Sequence, residues 1–251
     1  MTTPASSEAR LARERAFHDE RFADDARASV SRAYAVAAPA TADYRRVARL
    51  AAGPGTHVLE YGCGVDGLAA SLVGGGAQVT AIDISAVAIE RSAASAAERG
   101  VEVTFAVMDA EALELADGSL DLVVGSGILH HLDLDRAVSE VARVLKPGGR
   151  AVFYEPLAHN PLLNLFRRLT PAMRTEDEHP LRMADVERIA SQFRSAEVRT
   201  HVVLSLVLAP VAHTSWARRP LALLHRVDRA LLRRIPALRR QAWIVVLELV
   251  R

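Results

Sequence analysis

Residues that could hold a nucleoside follow two neighbouring apolar runs of the chain. The run His57-Val-Leu-Glu-Tyr61 is followed by Gly62-Cys63-Gly64, and the next run ends at Asp83. Glycines at positions 62 and 64 permit a tight turn and a close approach of the backbone to a ligand, which a Cβ atom would block. A carboxylate about twenty residues after such a turn can accept hydrogen bonds from ribose hydroxyls. The two features predict a site for a ribose-containing ligand.

Two later polar segments stand at the ends of further apolar runs. Asp109-Ala110 follows the run Val101 to Val107, and Gly125-Ser-Gly-Ile-Leu-His-His131 ends the run that begins at Leu120. In open parallel sheets, ligands bind beyond the carboxyl ends of the strands. We therefore expect these segments to lie beside the glycine turn and Asp83 in one site.

The elements that must position these residues alternate between short apolar strands and helical stretches. This alternation predicts an α/β fold, a Rossmann-like doubly wound sheet with right-handed crossovers. After Pro156 the rhythm changes, and the last two strands are predicted to form an antiparallel pair at the sheet edge. The predicted strands are 57–61, 78–82, 101–107, 120–125, 150–155, 197–204 and 242–250, and the predicted helices are 68–73, 85–99, 133–145, 184–193 and 216–235.

The chain divides into an N-terminal extension and a core. Residues 1–52 are predicted to form a helical lid or extension, in which Ser7 to Ala28 is an exposed helix. Residues 53–251 are predicted to form the core domain. An insertion near 159–181 and the helix near 216–235 are expected to build an acceptor pocket.

Composition excludes several classes of function. The chain has 251 residues, 31 of them basic and 30 acidic, so its net charge of +1 gives no reason to expect nucleic-acid binding. Cys63 is the only cysteine, which excludes an intramolecular disulfide and indicates a cytoplasmic location. No apolar run reaches the roughly 20 residues that a membrane span needs. Peripheral membrane contact is not favoured, and a homo-oligomer is left open.

The motifs resemble those of the class I S-adenosylmethionine-dependent methyltransferases over roughly Thr56 to Glu155. The signature of that family is an acidic residue and Gly-x-Gly after the first strand, with an acidic residue ending the second, and the turn Leu145-Lys-Pro-Gly-Gly149 is also typical. The resemblance implies a seven-stranded fold and S-adenosylmethionine as cofactor. The signature residues in this chain are Glu60, Gly62, Gly64 and Asp83.

The resemblance also implies a role for each cofactor residue. Asp83 would hold the ribose, Ile84 would pack on the adenine, and Asp109 beside Ala110 would meet the adenine amino group. The backbone of Gly62, Cys63 and Gly64 would flank the methionine part, whose amino group would lie near Glu60 and Gly125. Tyr34 would close over the cofactor, or it would serve only in packing.

Two alternatives to methyl transfer stay open. Gly62, Gly64 and Gly67 also match the spacing of a nicotinamide dinucleotide turn, although Glu60 would face a pyrophosphate badly and suits a cationic sulfonium better. Many family members have a third glycine where this chain has Asp66. Because of this departure, a cofactor-binding scaffold or a non-methylating catalyst of the same fold is the second alternative.

The segments that resemble acceptor-binding regions are less specific than the cofactor motifs. Downstream segments beginning at Glu155, Arg167 and Thr175 resemble a subgroup of bacterial small-molecule methyltransferases, which implies methylation of an oxygen, nitrogen or carbon of a small hydrophobic acceptor. His159 is predicted to be a general base, or else to fix its loop by a hydrogen bond to backbone, and His131 is the second candidate. The spacing of histidines and carboxylates shows no compact ligand cluster, so we predict no metal.

Overall fold

Alternate residues of the strands enter two separate apolar clusters, one on each face of the sheet. Val58 and Val124 belong to one cluster, and Leu59 and Val123 belong to the other. This alternation follows from the period of two along a strand. The computed structural model describes residues 4–23, 34–65, 67–170 and 178–251.

The sheet has seven strands in the order β3-β2-β1-β4-β5-β7-β6. The first five strands pair in parallel, and β7 pairs antiparallel with both β5 and β6. The predicted Rossmann-like fold with an antiparallel last strand is therefore confirmed. The strands are β1 (His57–Tyr61), β2 (Gln78–Asp83), β3 (Thr104–Val107), β4 (Leu120–Ser126), β5 (Leu145–Pro156), β6 (Ser195–His201) and β7 (Ile244–Val250).

Helices connect and flank the strands. They are α1 (Pro4–Ala23), α2 (Ala38–Ala51), α3 (Ala69–Val73), α4 (Ala86–Glu98), α5 (Leu134–Val144), α6 (Pro161–Leu169), α7 (Met183–Ser191) and α8 (Arg218–Arg234). Short 3₁₀ segments cover Ala35–Ala37, Leu129–His131, Leu204–Val211 and Pro236–Gln241. No helix in the described parts of the chain has both the length and the apolar character that a membrane crossing requires.

Two helix starts have the capping residues that the sequence predicts. The side chain of Ser85 accepts a hydrogen bond from the Ala88 N–H at the start of α4, and Asp133 accepts bonds from two N–H groups at the start of α5. Such caps satisfy donors that have no partner inside the helix. They fix where each helix begins relative to the strand before it.

Three local predictions need correction. The turn at residues 146–149 lies inside β5, where Leu145 pairs with Leu120 but Arg150 pairs with Leu122, so four residues bulge from the ladder. Strand β3 begins at Thr104 rather than at residue 101. The predicted exposed N-terminal helix is only partly exposed, because Glu14 and Phe22 on α1 are buried. Asp66 lies outside the described residues.

The strand order fixes the place of the site. Strand β1 lies between β2 and β4. The chain after β1 continues to β2 on one side, and the chain after β4 continues to β5 on the other side. Such a switch point opens a crevice outside the carboxyl ends of the strands.

Candidate functional site

A cavity of about 920 Å³ lies at this switch point. Every predicted cofactor residue except Gly125 lines it, including Tyr34. The residues reach it from the ends of β1, β2, β3 and β4, from α1 and α6, and from the 3₁₀ segment at 204–211. The site predicted from the sequence is therefore assembled in one place.

Asp83 connects the end of β2 to the glycine turn. Its Oδ2 accepts a hydrogen bond of 2.9 Å from the Gly64 N–H, and its Oδ1 accepts one of 3.0 Å from the Ser85 N–H. A carboxylate offers about four lone-pair sites, so both oxygens can still accept from a ligand hydroxyl. Gly62 and Gly64 have φ angles of 71° and 53°, in the left-handed region that glycine adopts without strain.

Glu60 lies beneath the start of α3. Its two carboxylate oxygens accept hydrogen bonds from the backbone N–H groups of Leu68 and Ala69, the second at 2.8 Å. Burial raises the pKa of Glu60 to about 7, although these hydrogen bonds act in the opposite direction. A Cβ at Gly67 would come within 2.4 Å of the carboxylate, so this glycine permits the arrangement.

The adenine side of the predicted site is held by β3 and the segment after it. The Met108 N–H donates to the Asp83 carbonyl at 3.0 Å, and the Tyr61 hydroxyl donates to the Ala110 carbonyl. Asp109 Oδ1 accepts the Glu111 N–H at 2.8 Å, which fixes the carboxylate on the cavity wall. Ile84 lines the same wall.

Gly125 does not line the cavity, contrary to the prediction. A Cβ at this position would meet the Phe153 side chain at 2.8 Å, so Gly125 serves the packing of β4 against β5. Ser126 and Gly127 reach the cavity wall instead. Beside them, Glu155 is fully buried and accepts hydrogen bonds from two backbone N–H groups, while its other oxygen lies 2.7 Å from Nδ1 of His130.

Helix α1 closes one side of the cavity with polar residues that the sequence analysis did not identify. Arg10 donates to the His131 carbonyl at 3.0 Å and pairs with Glu111, and the Ser85 hydroxyl donates to Asp19 further along the helix. Glu14 and His18 also line the cavity. The available signal was the spacing of positions 14, 18 and 22, which places three side chains on one helix face.

The structure separates the two predicted catalytic histidines. His131 lines the cavity, and burial lowers its pKa, which favours the neutral imidazole. His159 does not line the cavity, and its Nε2 accepts a hydrogen bond of 3.1 Å from the Met183 N–H. Partial burial and two nearby arginines lower the pKa of His159. The structure therefore contains the alternative to a general base, a hydrogen bond between His159 and the backbone that fixes its loop.

The histidines and carboxylates that appear dispersed in the sequence meet in space. Glu14, His18 and His131 form one group whose possible ligand atoms lie within 4.8 Å of one another, and His130, His131 and Glu178 form another. The sequence spacing does not reveal these groups, because Glu14 and His18 lie more than 110 positions before His131.

Much of the remaining wall is apolar. Leu163 on α6, Leu206 on the 3₁₀ segment and Trp243 before β7 line it, and Tyr34 lies with its ring centroid 4.9 Å from that of Trp243. The helix predicted over 216–235 does not reach the cavity, and the 3₁₀ segment at 204–211 takes its place. This half of the cavity suits an apolar molecule.

The residues present fit S-adenosylmethionine better than a dinucleotide. A pyrophosphate would need the free N–H groups at the start of the helix after β1. Here Glu60 already accepts two hydrogen bonds from that helix start, and its carboxylate would repel a phosphate. Acidic acceptors at Asp83 and Asp109, with a side-chain-free turn between β1 and α3, match a ribose, an amine and a cationic sulfonium.

Comparison with known proteins agrees with this geometry. Residues 59–153 match the family model described as a methyltransferase domain. A ubiquinone biosynthesis O-methyltransferase from Paraburkholderia phytofirmans is 32% identical over 165 residues, which cover 63% of this chain and 71% of that protein. Another ubiquinone biosynthesis O-methyltransferase, from Alkalilimnicola ehrlichii, is 38% identical over 45% of this chain and 46% of that protein.

Structural similarity extends over more of the chain. Haemonchus contortus phosphoethanolamine N-methyltransferase 2, solved in complex with S-adenosylmethionine, has a TM-score of 0.56 and 21% identity over 79% of this chain and 49% of that chain, which shows the shared fold. The chain spans less than half the length of most of the curated relatives it matches. The fold, the family model and the Paraburkholderia relative agree, and this chain belongs to the class I S-adenosylmethionine-dependent methyltransferases, the family that uses S-adenosylmethionine as its cofactor.

Proposed function

We propose that this protein transfers the methyl group of S-adenosylmethionine to an oxygen, nitrogen or carbon atom of a small hydrophobic acceptor and releases S-adenosylhomocysteine. One observation carries the proposal: all the predicted cofactor residues except Gly125 share one cavity of about 920 Å³ with an apolar surface. This volume is near the upper end of the roughly 300–1,000 Å³ found for ligand pockets, which suits a cofactor together with a small acceptor.

The residues of the first half of the cavity would bind and orient the cofactor. Asp83 would accept hydrogen bonds from the ribose hydroxyls, and Asp109 would accept one from the adenine amino group. Ile84 would cover the adenine ring, and the backbone of Gly62 and Gly64 would pass close to the methionine part. When bound, the cofactor supplies a methyl group already activated by the sulfonium charge.

The residues of the second half would align the acceptor and exclude water. Methyl transfer at an activated sulfonium depends mainly on the alignment of acceptor and methyl group. Leu163, Leu206 and Trp243 offer an apolar surface for an acceptor, and the names of the two ubiquinone biosynthesis relatives support a small-molecule acceptor for this chain. Residues 1–52 would act as the lid, since α1 reaches the cavity through Glu14 and His18.

Calorimetry and product analysis test the proposal. S-adenosylmethionine and NAD would each be titrated into the purified protein, and S-adenosylhomocysteine would be measured by mass spectrometry during turnover with a panel of phenolic, amine and quinone-like acceptors. We expect binding of S-adenosylmethionine alone and release of S-adenosylhomocysteine with at least one acceptor. Binding of NAD but not of S-adenosylmethionine would refute the proposal. Cofactor binding without turnover on any acceptor would favour a scaffold instead.

His159 provides a separate test of the acceptor side. Because its Nε2 accepts a backbone hydrogen bond outside the cavity wall, we expect His159→Ala to retain turnover within about threefold and to lose about 1 kcal/mol of stability. Single-turnover kinetics and urea unfolding would measure the two effects. A loss of 100-fold or more in turnover with normal folding would restore His159 as the general base.

A further inference from the structure

Three side chains on two distant segments meet on the wall of the cavity. Glu14 and His18 are four residues apart on α1, so they lie on the same face of the helix, and His131 lies at the end of the 3₁₀ segment after β4. His18 Nε2 is 3.4 Å from Glu14 Oε2, and His131 Nδ1 is 3.2 Å from the same oxygen. All three residues line the cavity.

The two distances to Glu14 match the spacing of ligands around one metal ion, and the possible ligand atoms of all three residues lie within 4.8 Å of one another. Donor atoms at 2.0–2.1 Å from a tetrahedral zinc ion lie about 3.3 Å from one another. His131 is only 8% exposed, and its Nδ1 faces Glu14 Oε2 at 3.2 Å, its nearest polar contact among the described residues. A cation held between the two residues would bind both the imidazole nitrogen and the carboxylate oxygen.

We propose that Glu14, His18 and His131 bind a divalent first-row transition metal ion such as Zn²⁺, with at least one coordination position open to the cavity. Two imidazoles and one carboxylate form a set that leaves room for water or a ligand on the ion. Phe17 and Phe22 pack against the His18 ring, and the His131 ring packs on that of His130 while Arg10 donates to the His131 carbonyl, so neighbours hold both histidines in place.

The open position gives the ion a role toward the acceptor, and this part rests on the proposed function. A hydroxyl, phenol or carboxyl group of the acceptor would be a ligand in the open position. Coordination to the ion lowers the pKa of a bound hydroxyl, so its proton would be released to solvent and the oxygen would be more nucleophilic. The same ion would join α1 to the segment after β4 and hold the lid closed.

Metal binding can be measured without cofactor or acceptor. Protein stripped with EDTA would be titrated with Zn²⁺ by calorimetry and with Co²⁺ by visible absorption. The test variants are Glu14→Gln, His18→Ala and His131→Ala, and the control is His213→Ala, an exposed histidine elsewhere in the fold. We expect one ion per chain in the native protein and the control, and at least roughly 100-fold weaker binding in each test variant.

Several outcomes would overturn the site. They are no binding to the native protein, or unchanged binding in both His18→Ala and Glu14→Gln. Loss of binding in Glu178→Ala and His131→Ala, with binding kept in His18→Ala and Glu14→Gln, would place the ion at the His130 group instead. Anomalous scattering from a crystal soaked with zinc chloride gives a second measurement that does not depend on the folding of a variant. It should place the ion between His18 Nε2 and His131 Nδ1.

The role toward the acceptor has its own test. Formation of S-adenosylhomocysteine from a hydroxyl acceptor should fall at least tenfold after EDTA treatment and return on addition of Zn²⁺. Equal rates with and without metal would refute this role while leaving the binding site and the methyltransferase proposal intact. Absence of turnover with every acceptor of the panel, with metal bound at the site, would instead contradict the proposed function.

Discussion

At the residue scale, Asp83 has both an internal and a proposed external role. Its two oxygens hold the glycine turn and the start of α4 through backbone N–H groups, and the remaining lone pairs would bind the ribose. We expect Asp83→Asn to weaken the binding of S-adenosylmethionine by about 1–3 kcal/mol, the scale for losing charge-assisted hydrogen bonds. Calorimetry would give the dissociation constant, and Glu98→Gln, an exposed carboxylate on α4, is the matched control. An unchanged constant would remove Asp83 from the cofactor site.

Glu60 is expected to make stability depend on pH in an unusual direction. Burial raises its pKa in the folded protein from 4.5 to about 7, so the folded state binds an additional proton between these values. Stability from this group is therefore present below pH 4.5 and is lost as the pH rises towards 7, by up to about 3 kcal/mol. Burial lowers the pKa of His131, so this group has the opposite effect: the stability that it contributes is lost as the pH falls.

The contribution of Glu60 can be isolated with a variant that does not titrate. Urea unfolding between pH 5 and 8 would compare the native protein with Glu60→Gln and with the exposed control Glu98→Gln. As the pH rises, the unfolding free energy of the native protein should fall relative to that of Glu60→Gln. A constant difference across this range would show that Glu60 titrates normally in the folded state.

At the element scale, the turn between β1 and α3 depends on glycine for two reasons. Gly62 has a φ of 71°, and a Cβ there would approach the Ile128 side chain to 2.8 Å. We expect Gly62→Ala to cost about 1–3 kcal/mol of stability and to weaken cofactor binding, because the turn must shift. Gly53→Ala is the control, since its Cβ would meet no atom within 4 Å, and its effect should stay within about 0.5 kcal/mol. Equal effects of the two substitutions would contradict this account.

Elements whose signals are local were predictable from the sequence. The caps at Ser85 and Asp133 and the strand ending at Asp83 depend on neighbouring residues only, and all three occur where expected. The family resemblance implies a place for Gly125 beside the cofactor, but its lack of a side chain serves the packing against Phe153. That requirement comes from the adjacent strand β5, which local sequence reasoning does not reveal.

At the scale of the whole molecule, long-range contacts were the part that sequence reasoning missed. The polar face of α1 reads as an exposed helix because its partners, Glu111 and His131, are about a hundred residues away along the chain. The sequence does not reveal the direction of the loop after β5 either. It predicts His159 as a general base, whereas His159 accepts a hydrogen bond from Met183 outside the cavity wall. The fold determines both placements through the position of α1 and the course of the insertion after β5.

The attachment of α1 to the core gives the last prediction. Arg10 connects this helix to Glu111 and to the His131 carbonyl, and Glu111 is 3% exposed, so loss of the guanidinium would leave a buried carboxylate with fewer partners. We expect Arg10→Ala to speed amide exchange in residues 4–23 by roughly 10- to 100-fold, corresponding to about 1–3 kcal/mol of local stability. Residues 57–61 of β1 should exchange as before.

The comparison that isolates this effect uses Arg15→Ala, which removes an exposed arginine from the same helix. Hydrogen exchange with mass spectrometry would follow both variants with and without S-adenosylmethionine. If α1 acts as a lid, the cofactor should slow exchange in α1 of the native protein and of Arg15→Ala, and should do so less in Arg10→Ala, because the helix then spends more time away from the cavity. Identical exchange in the two variants would mean that α1 is held by its other contacts, such as Asp19 with Ser85, and that the Arg10 pair does not control closure.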